Sequence, residues 1–213
     1  MSLWTSSVLS LLLLQAAQYP AQEVKNDTRP VAIEEVATTS EETPQRLVLV
    51  RKDWSLKQAY SDVFKILSHE NPCSSFYGGP RKATTVLIDF VVLVHAEPML
   101  RQVTFQMVGT TRLLRDPATG ASYRLFARTL VNTNGSFYQR RVELMREYPS
   151  DIGDFSPGSR QARALILLHE LGHLIQDENG DWLIPDDGHN GPQSKANTLR
   201  VQQACRAELE TLK

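Results

Sequence analysis

His169, Glu170 and His173 stand inside the run Leu165 to Gln176, whose other members are almost all apolar. Residues four apart on an α-helix lie one turn above each other on the same face. His169 and His173 can therefore turn both imidazoles toward one metal ion. That supplies two of the three protein ligands of a catalytic zinc. Glu170 is rotated about 100° from His169, which puts a carboxylate beside the metal's open position, where it can take a proton from water. Three polar side chains in an apolar helix need partners or a metal, because unpaired burial costs several kcal/mol. The competing arrangement is a pair of core histidines hydrogen-bonded to Glu170 or to backbone. Gly172 is a further irregularity, since glycine inside a helix costs about 1 kcal/mol relative to alanine; close approach of another segment would account for it.

The HELGH motif at 169–173 resembles the active helix of zincin-type metallopeptidases. The resemblance is strong over about these dozen residues. It implies an α+β domain with a small antiparallel sheet packed on the motif helix, a Zn2+ cofactor, Glu170 as general base and a peptide or protein substrate. Two branches of that group do not fit. The metzincin pattern places glycine and a third histidine where this chain has Gln176 and Asn179, and the thermolysin-like glutamate would fall where Lys195, Ala196 and Asn197 stand. The stretch from Leu183 onward, with Asp-Gly, a serine, Asn-Thr and a late cysteine, is also similar to secreted bacterial proteins that carry HELGH. That second likeness makes Asp187, before Gly188, the first choice for the third ligand. His189 is the alternative, being the commoner zinc ligand by residue type. Asp186 and Asp177 are further candidates, although Asp-Asp-Gly is also an ordinary turn sequence. An aspartate off the metal could instead accept the second ring N–H of a ligating histidine. The reading from a different class is a non-catalytic secreted or envelope protein whose zinc is structural, closed by four protein ligands such as Asp187 and His189 together.

The elements that must position these residues can be read in outline. Ser156-Pro157-Gly158-Ser159 prepares the motif helix, with a serine as cap and Pro157 in its first turn; the helix is expected to end near Asp177 with Asn179-Gly180 as the stop. Trp182 to Pro185 then packs back. A terminal helix is expected from Ser194, with Leu199, Ala204 and Leu209 as its apolar residues. Upstream, Leu56, Tyr60, Val63, Phe64 and Leu67 recur at helical spacing over Ser55 to His69, with Asp53 or Ser55 as cap and Asn71-Pro72 as a stop. Residues 71–80 read as a loop. Ala83 to His95 is ambiguous between helix and strand, with the first half leaning to helix. Val103 to Val108, the residues after Gly120 and Phe137 to Val142 read as an antiparallel meander of three or more strands.

Length and composition bound the rest. The 213 residues are 41% hydrophobic and 22% charged, enough for one globular domain with its own core. The formal net charge of -1 comes without a basic stripe, which sets nucleic acid aside as a partner. Residues 1–21 resemble a secretory signal peptide, with an apolar block from Val8 to Leu14 followed by Ala16, Ala17 and Ala21, although no Lys or Arg precedes the block. The block is too short to span a bilayer, so no stable membrane span is expected after cleavage, and the protein is expected to be secreted, periplasmic or in the cell envelope. Residues 22–46 are poor in large apolar groups and read as a flexible linker, leaving 47–213 as the metal-binding domain. Cys73 and Cys205 are the only cysteines, an even count that permits a disulfide in an exported chain. Asn26 and Asn134 fit the N-glycosylation pattern. Oligomeric state is not legible in the chain.

Overall fold

The computed structural model describes residues 53–90, 92–95, 105–139, 152–188 and 191–213, and all of them belong to one contact unit that starts at Glu41. The expected boundaries at 21/22 and 46/47 lie outside the described residues, as do Asn26 and His189.

Asp53 caps the first helix, α1 (Trp54–Leu67), by accepting a hydrogen bond from Leu56 N at 2.8 Å. Its apolar stripe, including Leu56, Tyr60, Val63 and Leu67, is buried, which is the stripe the helical spacing predicted. Asn71 does more than stop α1. Its side chain and that of Ser74 cap each other's backbone N–H, and with Pro72 at the first position they start a short helix, α2 (Pro72–Phe76), where a loop was expected. Residues 80–95 divide into both alternatives: helix α3 (Pro80–Asp89) and then strand β1 (Val92–His95). The β-branched residues toward the end of that run go to the strand, where two heavy atoms on Cβ are better accommodated.

Two long strands follow, β2 (Phe105–Arg115) and β3 (Ser122–Asn132), joined by the turn at Asp116 to Gly120. Asp116 holds that turn by accepting from Ala118 N and Thr119 Oγ1. The sheet order is β1-β3-β2, with β2 antiparallel and β1 parallel to β3. The expected meander is thus corrected. Of the expected strand Phe137 to Val142, Phe137 to Gln139 continue the turn region after β3 and form no strand, and residues 140–142 lie outside the described residues; Phe137 is wholly buried and stacks edge-on against Phe105, so its side chain serves the core.

The motif helix, α4 (Arg160–Gly172), is the most buried element, with Ala164 to Leu168 all at 0% exposure. Ser159 is its cap, accepting from Ala162 N at 3.1 Å, and Pro157 falls before the helix instead of in its first turn. Arg160 ties the start of α4 to α1 through the buried Asp62, with Nη2 2.6 Å from Oδ1. Tyr77 Oη donates to Leu168 O at 2.6 Å near the other end. The last helix, α5 (Gly191–Glu210), packs across α4. Its buried face is Asn197, Thr198, Val201, Gln202, Cys205 and Leu209, whereas Leu199 is 44% exposed. Cys205 forms a disulfide with Cys73, joining α5 to α2. Five helices and a small mixed sheet among the described residues make this an α+β protein.

Candidate metal centre

α4 ends earlier than the apolar run suggests, at Gly172, and His173 is its C-cap. The backbone after it is claimed by the sheet. Leu174 O accepts from Arg124 N at 2.8 Å and Gln176 N donates to Ser122 O, so residues 174–176 lie antiparallel to the start of β3. The chain then turns at Asp177, whose Oδ1 accepts from Asn179 N and Asp181 N, with Gly180 at φ 86°. Leu183 N donates to Ile175 O, and Ile184 comes to rest on Gly172. A Cβ on Gly172 would sit 2.9 Å from both Ile184 Cγ1 and Cδ1. The glycine is needed for this close approach, which brings the following residues, 185–188, back over the histidines.

Asp187 arrives beside them. His169 Nε2 is 3.0 Å from Asp187 Oδ2 and 3.1 Å from His173 Nε2, and His173 Nε2 is 3.8 Å from Asp187 Oδ1. Both histidines are buried, at 1% and 6% exposure. These three side chains form a group that could hold a metal ion, each offering one ligand atom. The donor chemistry fits: two imidazole nitrogens and a carboxylate oxygen are a recognised zinc set. With bonds of 2.0–2.1 Å, the ligand atoms of a tetrahedral zinc are about 3.3 Å apart, near the 3.0 Å and 3.1 Å that separate His169 Nε2 from Asp187 Oδ2 and from His173 Nε2. Burial on its own would raise the Asp187 carboxyl, but hydrogen bonds and charge from His169 and His173 outweigh it and hold the group well below the ordinary carboxylate range. Asp187 is therefore an anion wherever the protein is folded near neutrality.

A second ring of side chains holds the first. Thr198 Oγ1 lies 2.9 Å from His169 Nδ1; with Nε2 given to a metal, Nδ1 carries the hydrogen and donates it to the hydroxyl. Asn197 Nδ2 donates to Asp187 Oδ1 and to Pro185 O, which leaves Oδ2 turned to His169. Arg124, on β3, donates from Nε to His173 O at 2.7 Å and pairs through both terminal nitrogens with Asp186, its guanidinium 4.0 Å from the centre of the Trp182 ring. His173 Nδ1 is buried without a hydrogen-bond partner among the described residues.

Of the sequence candidates, the structure brings together His169, His173 and Asp187. Asp186 faces Arg124 and Asp177 caps its turn, while His189 lies outside the described residues. Glu170 is partly buried on α4 next to His169. Arg124, Asn197 and Thr198 were missed as site residues. For the last two a signal existed: counting back from Cys205 in steps of four gives Val201 and Asn197, a stripe that turns Asn197 and Thr198 inward and Leu199 outward. No sequence signal marks Arg124, whose role depends on which segment pairs with β3.

Among the described residues no helix is long and apolar enough to cross a membrane. In comparisons with protein-family models, with curated proteins and with solved structures, nothing matches this chain.

Proposed function

We propose that the centre binds Zn2+ and that the protein is a zinc-dependent metallopeptidase of the zincin kind, exported to the cell envelope or beyond. The observation that carries this is the convergence of His169 Nε2, His173 Nε2 and the Asp187 carboxylate from a helix and a loop, at separations of 3.0–3.8 Å. A motif helix laid beside a sheet whose strand β3 pairs with the residues just after it supports the zincin-like reading. Zinc is favoured over magnesium or calcium because two of the three donors are imidazole nitrogens. A buried disulfide supports an oxidising compartment.

Bound zinc would supply Lewis acidity, polarising a substrate carbonyl and bringing the pKa of a water down to about 7. The chain's own residues do the rest. His169 and His173 are held with Nε2 forward, the first by Thr198. Asp187 contributes the negative charge that balances the ion. Glu170 takes the proton of the attacking water on its carboxylate and passes it to the leaving amine, which is general base and then general acid catalysis by one group.

The test is zinc content and peptide hydrolysis of the full chain beside the Glu170→Gln and His169→Ala variants. About one zinc per chain, lost in His169→Ala, together with hydrolysis lost in Glu170→Gln while zinc is kept, supports the enzyme. Zinc retained with no difference between wild type and Glu170→Gln on any peptide library would sink the catalytic reading in favour of a structural zinc.

A further inference from the structure

We infer that Arg124 and Asp186 are positioning residues of the metal centre, with Asp186 accepting the Nδ1–H of His173 once His173 Nε2 carries the metal; this rests on the metal-binding reading above. The two histidines are not equally supported. His169 Nδ1 has Thr198 Oγ1 at 2.9 Å. His173 Nδ1 is buried and without a hydrogen-bond partner among the described residues, and Asp186 Oδ1 lies 4.0 Å from it. A histidine that gives one ring nitrogen to a metal keeps its hydrogen on the other, and that hydrogen needs an acceptor. Asp186 is the group placed to supply it. Its side chain is 64% exposed, so it has room to turn through the remaining distance while one oxygen stays on Arg124.

Arg124 makes that placement specific. Its backbone N–H donates to Leu174 O, its Nε to His173 O, and its two terminal nitrogens to the two oxygens of Asp186. One residue thus grips the end of the motif helix and the residue next to Asp187, and so sets the distance between ligands that come from separate segments. Trp182 lies against one face of the guanidinium, at 4.0 Å, and keeps it in plane. A lysine in this position would keep the charge but could not bond the carbonyl and both carboxylate oxygens in one plane.

The experiment loads the full-length chain with Zn2+ alone. Affinity is read by chelator competition, and the histidine ring protons by NMR of the nitrogen-15-labelled protein. The expected result is a slowly exchanging, downfield Nδ1–H from His173 in the wild type that is lost in Asp186→Ala, with the His169 signal unmoved. Zinc affinity should fall about 10–100-fold in Asp186→Ala and in Arg124→Lys. Should Arg124→Lys fail to fold, Asp186→Ala still decides the matter, because Asp186 lies largely in solvent. Unchanged affinity and an unchanged His173 signal in Asp186→Ala would overturn the inference while leaving the metal centre standing. A wild type that takes up no zinc would overturn both.

Discussion

Two imidazole nitrogens and a carboxylate that meet at 3.0–3.8 Å can be joined by a cation or can share protons among themselves. Thr198 separates the two cases. A metal on His169 Nε2 fixes hydrogen on Nδ1, so Thr198 Oγ1 must act as the acceptor, and Thr198→Val removes it at nearly constant volume. Zinc affinity is expected to fall about 10–100-fold in that variant, measured by chelator competition; an unchanged affinity would mean that Thr198 does not orient the ligand. Glu170→Gln is expected to lower peptide hydrolysis by about 10²–10⁴-fold with zinc content unchanged, read from initial rates and metal analysis. That His169 and His173 can face one ion was legible from spacing alone. Asp187 was preferred to His189 through a resemblance and not through spacing, because its place beside the histidines depends on a turn whose shape is set by contacts outside it.

Helix α4 is buried along most of its length and ends at the candidate metal centre. Its caps were partly legible: Ser159 lies where a serine was expected, but the stop did not fall at Asn179-Gly180. The apolar run goes on to Ile175, and nothing local ends the helix at Gly172. Pairing of residues 174–176 with β3 does so, taking the backbone hydrogen bonds that further helix would have used. Gly172→Ala tests this junction. Helix propensity favours alanine by about 1 kcal/mol, but the new methyl meets wholly buried Ile184 at 2.9 Å, and overpacking of this kind costs about 1–3 kcal/mol. The variant is expected to melt at lower temperature and to bind zinc more weakly, since Ile184 leads into the Asp186-Asp187 loop. Combining it with Ile184→Ala should restore part of the zinc affinity; no difference between single and double variants would exclude the contact as the cause.

The disulfide works across the whole domain. Cys73 and Cys205 are separated by 132 residues, and closing a loop of that size restrains the unfolded chain by at most about 5 kcal/mol. It also anchors α5 two turns from Thr198 and Asn197, on the same face. Replacing both cysteines by alanine is expected to lower stability by about 2–5 kcal/mol in denaturant unfolding. The loss of zinc affinity should be smaller than in Thr198→Val if the rest of α5 holds its packing. A variant that unfolds as readily as wild type would show that α5 is held by its apolar face alone.

From the chain alone came the motif and the chemistry it permits, α1 with its cap, the identity of the two cysteines that could pair, the start of β2 and the strand after Gly120. All of these rest on interactions between residues close in sequence or on periods of 2 and 3.6, which a sequence displays directly. Only the tertiary structure decided where α4 stops, that β1 joins the sheet in parallel, and that Arg124 and the inward face of α5 meet at the histidines. Each of those depends on competition between distant segments for the same backbone groups or the same buried surface. A residue such as Arg124 has no local feature that reports which carbonyl it will meet, because its partner at His173 lies 49 positions away in the chain.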